Sequence, residues 1–193
     1  IRNIYAAMSK KKAKLTKTDM PSNPTNYYFE TIDYLKGGAI GRPLKLDYQF
    51  IENNSGLLNA FENQPFASVN SYSDIIIIAI YDGNKVRVNK NEYGNSEHSG
   101  ASGNVTNKPL EYVTKTGVKY ILDSVLVRDI GAGHFCSVIT CGGKEFGFDG
   151  ESFHRMSSFE WKKLINTDQE WTFKGSATKW NFRNGYQELH YYR

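Results

Sequence analysis

The amino-acid sequence predicts an α+β domain, an antiparallel β-sheet with a few flanking helices, and three observations support this fold class. Aromatic residues make up 14% of the chain, with 13 Tyr and 11 Phe, as in β-rich globular proteins. Residues 75–81 form a continuous, mostly β-branched apolar run, which predicts a central strand covered on both faces. After Pro109, short alternating segments separated by glycines follow one another closely, which is typical of strands joined by tight turns.

Residues 1–26 differ in composition from the rest of the chain and predict a basic flexible arm. Six basic side chains stand against Asp19, a local charge of +5 within a total of +4, so the remaining chain is nearly neutral. The basic residues are Arg2, Lys10, Lys11, Lys12, Lys14 and Lys17. Residues 27–193 are expected to form a single domain, which is large enough to bury a core without disulfides or metals.

The first elements of this domain are predicted to be a strand and a short helix. Residues 44–48 alternate in polarity as a strand does. Ser55 can cap a helix that carries Leu57 and Phe61 and ends before Pro65.

A hairpin and a loop are predicted next. Residues 82–84 read Asp-Gly-Asn, a turn signal that leads from the central strand into an alternating strand at residues 85–88. Residues 91–107 contain few apolar anchors, so we expect a mobile loop in which His98 is solvated.

The second half of the domain is predicted to hold most of the sheet. Four strands are expected, at residues 119–128, 134–140, 144–148 and 188–192. Residues 157–166 predict a short helix capped by Ser157 or Ser158, and His190 in the last strand is expected to be structural. The tryptophans are expected to be core or interface anchors: Trp161, Trp171 and Trp180.

Membrane and disulfide-rich secreted classes are disfavoured by the sequence. The longest apolar run is far shorter than the roughly 20 residues that cross a bilayer, and no signal-type apolar segment opens the chain. Two cysteines do not predict a disulfide framework. We therefore expect no membrane partner and an intracellular protein, cytoplasmic or nuclear, or one within a viral particle. Because the sequence starts at Ile1, we also expect a processed or partial product of a longer chain.

His134 and Asp149 are the candidate catalytic residues. A histidine whose ring is fixed by a carboxylate can take a proton from a thiol and return it to a leaving amine. His134 opens one predicted strand and Asp149 follows its hairpin partner, so both fall at the same edge of the sheet. The spacing therefore predicts a hydrogen bond between them.

Several segments resemble, in order, the C-terminal half of the ubiquitin-specific proteases, a papain-like family that hydrolyses isopeptide bonds to ubiquitin. Residues 133–138, Gly-His-Phe-Cys-Ser-Val, resemble the family's Gly-His-Tyr-x-x-Tyr motif. Residues 143–149 resemble its Trp-x-x-Phe-Asp-Asp segment, and residues 185–191 its closing Ala-Tyr-x-Leu-x-Tyr strand. Residues 74–81 and 120–127 resemble the strands that precede the histidine. The resemblance implies a papain-like fold, a general-base role for His134 and an orienting role for Asp149.

The chain departs from that family at the nucleophile. The family's cysteine follows an Asn-x-x-x-x-Cys stretch near the start of its domain, whereas residues 1–135 contain no cysteine. The paired Cys-x-x-Cys motifs of the family's zinc fingers are absent from the sequence, and Gly150 replaces the second acid. By this comparison the pair of His134 and Asp149 is vestigial.

The two cysteines of the chain are weak candidates for the missing role. Cys136 lies two residues from His134 on the same predicted strand. This spacing separates their Cα atoms by about 6.6 Å and makes their side chains parallel. It is expected to be a small buried residue. Cys141 precedes Gly142 at a hairpin turn and is expected to be a partly exposed free thiol. A zinc site built from Cys136, Cys141, His134 and His154 has an unfavourable spacing, so no metal or cofactor is predicted.

Three hypotheses of function follow. The first is an inactive relative of the ubiquitin-specific proteases, a binding or structural subunit of a larger viral or nucleoprotein assembly, with protein partners and ubiquitin as a candidate among them. The second is the C-terminal part of an active deubiquitinase, whose cysteine comes from an upstream segment or another chain. The third, ranked last, is nucleic-acid binding through the arm lysines Lys10, Lys11, Lys12, Lys14 and Lys17.

Overall fold

The fold is that of a computed structural model, which describes residues 45–64, 72–80, 87–90, 96–99, 105–128, 134–150, 156–183 and 186–193. These residues belong to one compact unit, Lys45–Arg193. The predicted basic arm of residues 1–26, the predicted turn at residues 82–84 and His154 lie outside the described residues.

The described chain is built around one large mixed sheet with a single α-helix. The strands are β1 (Leu46–Ile51), β2 (Ile75–Ile80), β3 (Arg87–Lys90), β4 (Ser96–Ser99), β5 (Glu111–Val113), β6 (Lys119–Arg128), β7 (Phe135–Cys141), β8 (Lys144–Asp149), β9 (Ser157–Ser158) and β10 (Gln187–Tyr192). The main sheet runs β1-β2-β10-β6-β7-β8-β9, and β5 also pairs with β6. An α+β class is therefore confirmed.

One pair of strands departs from the predicted antiparallel sheet. β1 and β2 are parallel, whereas the other paired strands of the described sheet are antiparallel. The helix α1 (Asn54–Glu62) lies in the connection between β1 and β2. A crossover of that kind returns the chain to the same end of the sheet, so the next strand runs in the same direction.

The apolar run predicted to form a central strand does so. All six residues of β2 are buried, and β2 lies between β1 and β10. The predicted strands at 119–128, 134–140, 144–148 and 188–192 are likewise confirmed to within one residue at either end.

Two predictions before residue 110 are wrong. β3 pairs with β4 in a separate two-stranded sheet rather than with β2, because both edges of β2 are already occupied by β1 and β10. The predicted loop at residues 91–107 contains β4, and His98 is part of that strand.

The predicted helix over residues 157–166 is also wrong. Ser157–Ser158 form β9, paired with Phe146 and Gly147 of β8, and only Trp161–Lys163 form a 3₁₀ helix. The Phe159 N–H donates to the Glu145 carbonyl at 3.0 Å. Pairing with β8 keeps Ser157 and Ser158 extended, so a helix cannot begin there.

The core lies on one face of the sheet and includes the three tryptophans, as predicted. Phe159 and Phe173 pack on β8 there. Gly147 makes this packing possible, because a Cβ at that position would lie 2.7 Å from Phe173 Cζ and 3.2 Å from Phe159 Cδ1.

Candidate functional site

The candidate site is positioned by the β7–β8 hairpin. Gly142 and Gly143 connect the two strands with φ values of 56° and 74°, the left-handed conformation that two-residue hairpin turns require. This turn sets a register in which Cys136 is opposite Asp149. The last residue of β8 therefore lies beside His134, the residue before β7.

His134 and Asp149 are in direct contact, as the sequence predicts. Their Nε2 and Oδ1 atoms are 2.6 Å apart. The Asp149 side chain has no solvent exposure, while that of His134 is 21% exposed. A carboxylate that accepts from Nε2 favours the tautomer with the proton on Nε2, which makes Nδ1 the proton-accepting nitrogen of the neutral ring.

Trp180 forms one wall of the site. Its ring centroid is 5.6 Å from that of His134, with the planes inclined at 46°. Backbone hydrogen bonds of 3.0 and 2.8 Å with Trp171 fix the position of Trp180. The sequence predicted a core anchor at Trp180 but gave no signal for contact with a histidine 46 residues away.

Cys136 is buried and poorly placed to act as a nucleophile. It is 2% exposed, as predicted for a small core residue. Burial raises the pKa of its thiol well above the ordinary range, and the negative charge of Asp149 acts in the same direction. Because the nucleophile is the thiolate, a thiol that stays protonated at neutral pH is a poor one.

Cys141 is an exposed free thiol, as predicted, but it lies at the wrong end of β7. Seven residues of extended chain separate it from His134, a distance of about 23 Å. A zinc site that contains both cysteines is also disfavoured by distance. Cys136 and Cys141 are about 17 Å apart along β7, whereas two thiolates that bind one zinc ion lie within a few Å of each other. Among the described residues, no group of three or more His, Cys, Asp or Glu side chains could hold a metal ion.

A second polar cluster, not predicted from the sequence, surrounds Glu188. Tyr48 donates to Glu188 Oε1 at 3.1 Å, Tyr186 donates to the same oxygen, and the two hydroxyls are 2.8 Å apart. Burial, followed by the charge of Glu188, raises the pKa of both tyrosines, so they remain hydrogen-bond donors. Nε2 of His190, 3.7 Å from Glu188 Oε2, is buried as a structural histidine would be.

This cluster is separate from the His134 site. Gln187 of β10 lies in the same cross-strand row as Cys136 and Asp149. Neighbouring residues of a strand point to opposite faces, so Glu188 faces away from the side of the sheet that carries Asp149. Tyr48, Glu188 and His190 lie in β1 and β10, and Tyr186 directly precedes β10. Polar and tyrosine residues are common in strands, so the sequence offered no specific signal for this cluster.

No protein-family model matches the chain, and no curated protein matches it. Every helix in the described part of the chain is too short or too polar to cross a membrane.

Proposed function

We propose that this chain is a ubiquitin-specific-protease-like domain that keeps an acid–base pair without a nucleophile and serves as a binding or structural subunit of a larger assembly. The observation that carries the proposal is the 2.6 Å contact between His134 and Asp149 together with the placement of both cysteines. A thiol hydrolase needs its nucleophile within about 3 Å of the base. Cys136 is buried and protonated, and Cys141 is at the far end of β7.

The arrangement of strands supports the family resemblance. The segments that resemble the ubiquitin-specific proteases form β2, β10, β6, β7 and β8, which are consecutive neighbours in the sheet. Segments far apart in sequence thus lie side by side in one sheet, as parts of a single domain would.

A second candidate function has its own support. The pair is intact, and the His134 ring is partly exposed. A thiol supplied by another segment or another chain could therefore approach the ring, which corresponds to a deubiquitinase assembled from two parts.

A ubiquitin probe with a cysteine-reactive group at its C-terminus tests the first function. We expect no covalent adduct by intact-protein mass spectrometry, and reversible binding of unmodified ubiquitin by calorimetry if ubiquitin is the partner. The control is Cys141→Ser, because exposed Cys141 can react with the probe without catalysis. An adduct that persists in Cys141→Ser and disappears in His134→Ala would overturn the inactive assignment. Absence of ubiquitin binding would mean that the partner is another protein.

A further inference from the structure

A buried lysine connects three segments of the chain. Lys108 is 1% exposed, and its Nζ donates to the carbonyls of Phe182 at 2.8 Å and Ile165 at 3.4 Å. Its backbone N–H and carbonyl bond the side chain of Asn166 at 2.7 and 3.0 Å. Lys108 therefore joins its own segment to the turn after the 3₁₀ helix and to the turn that contains Phe182.

The surroundings of Lys108 suit a neutral amine. A neutral amine has two N–H donors for the two carbonyls, whereas an ammonium adds a third donor and a buried charge. Among the described residues, no carboxylate lies within salt-bridge distance of Nζ. Burial lowers the pKa of Lys108 to about 7, and the positive charge of Arg183 acts in the same direction.

Among the described residues, the nearest carboxylate on these turns is Asp168, whose Oδ1 accepts from the Asn181 side chain at 3.1 Å rather than from Lys108. Gln187 of β10 donates its side-chain amide to the Phe182 carbonyl at 2.5 Å. Tyr191 of β10 donates to the Pro109 carbonyl at 2.8 Å, and burial raises the pKa of Tyr191, so its hydroxyl stays neutral. Arg183, on the Phe182 turn, bonds the Asn166 carbonyl at 3.2 Å and is the cation that faces Lys108.

The turn held by Lys108 also carries the wall of the candidate site. Phe182 is two residues from Trp180, which packs on His134. Phe182 packs in turn against Trp171 at 4.5 Å between ring centroids. Phe182 is thus connected to Trp180 along the backbone and through Trp171, whose backbone bonds that of Trp180.

We propose that Lys108 is a proton-operated clamp: the neutral amine holds the Phe182 turn in place, and uptake of a proton loosens that turn and the Trp180 wall of the His134 site. The clamp operates near neutral pH, so a modest acidification changes the site without any ligand. It depends on the Lys108 contacts alone and holds whether or not ubiquitin is the partner.

Nuclear magnetic resonance of the whole chain tests the clamp. We expect the Lys108 Cε resonance to titrate with a midpoint near 7, and the Trp180 indole resonance to shift with the same midpoint. Because His134 lies against Trp180, the measurement is repeated in His134→Gln, where the indole shift should persist. In Lys108→Met the shift should be lost, while Lys115→Met, which replaces an exposed lysine, should leave it unchanged.

Two results would overturn the clamp. One is a titration midpoint of the Lys108 Cε resonance near the ordinary lysine value of about 10.4. This measurement uses the native chain, so it tests the clamp even if Lys108→Met fails to fold. The other is an indole shift near pH 7 that survives in Lys108→Met or vanishes in His134→Gln.

Discussion

At the scale of single residues, the pairing of His134 with Asp149 explains how a carboxylate without solvent exposure is accommodated. Burying an unpaired carboxylate is costly, and a charge-assisted hydrogen bond offsets part of that cost. The pair therefore stabilises the end of the β7–β8 hairpin whether or not it takes part in catalysis.

Removing the histidine should destabilise the fold. We expect His134→Ala to lower the free energy of unfolding by about 1–3 kcal/mol, because it removes a partner of a buried acceptor. In the His134→Ala background, Asp149→Asn should lower the free energy of unfolding by less than it does in the native chain. Once the histidine is gone, a neutral amide is cheaper to bury than a carboxylate. Urea unfolding of the four proteins measures the coupling; strictly additive effects would contradict the pairing.

The sequence predicted this pair but not its environment. A two-residue glycine turn and alternating strands determine which residues of a hairpin are opposite each other, so the local pattern contains the contact. Trp180 approaches from a distant segment, and the bonds of Lys108 to Ile165 and Phe182 span 57 and 74 residues. No local pattern encodes contacts of that range.

At the scale of elements, the start of α1 shows how closely a helix boundary can be predicted. Asn53, rather than the predicted Ser55, is the cap, and its Oδ1 accepts from the Gly56 N–H at 2.9 Å. Both residue types cap helices well, so composition alone could not choose between positions two residues apart.

The two candidate caps make a matched test. Asn53→Ala should lower the free energy of unfolding by about 1 kcal/mol, because it leaves a helix N–H without its acceptor. Ser55→Ala should be neutral or slightly stabilising, because Ala has the higher helix propensity. Thermal unfolding of both variants decides; a larger loss in Ser55→Ala would mean that the helix begins at the later position.

Gly147 of β8 provides a second test at this scale. A methyl group there would collide with Phe173, so we expect Gly147→Ala to cost about 1–3 kcal/mol. Combining it with Phe173→Leu should recover part of the loss, because the smaller side chain vacates the ring position. If Gly147→Ala has the same midpoint denaturant concentration as the native chain, Phe173 does not pack on β8 as described.

The long strands were predictable and the short elements were not, for a physical reason. β2, β6, β7 and β8 have apolar or alternating runs bounded by turn residues, which are local signals. β9 is two residues long and exists only because β8 offers it a partner. Its pairing displaced the helix that Ser157 and Ser158 would otherwise cap.

At the scale of the whole molecule, the sheet brings chemistry-bearing residues to both of its faces. The Glu188 cluster, on β1 and β10, and the His134 pair, at β7 and β8, lie on opposite faces of the sheet. Lys108 links the segments around Ile165 and Phe182. Local patterns could not predict the parallel pairing of β1 with β2, because strand direction depends on the path of the connection.

Global stability should depend on pH through Lys108. Its pKa is lowered from 10.5 to about 7 in the folded state, so between these values the unfolded chain binds the extra proton. The contribution of this group to the free energy of unfolding therefore increases as pH rises from 7 toward 10.5. Urea unfolding at several pH values should show that increase in the native chain and a flatter profile in Lys108→Met; parallel profiles would contradict it.

The most direct test of the central claim, that His134 activates no thiol of this chain, is the alkylation rate of each cysteine with iodoacetamide at neutral pH, read by peptide mass spectrometry. Cys136 should be protected in the folded protein and Cys141 should react as an ordinary exposed thiol, with His134→Ala leaving the Cys141 rate unchanged. Rapid alkylation of either cysteine that disappears in His134→Ala would show that His134 does activate a thiol of this chain.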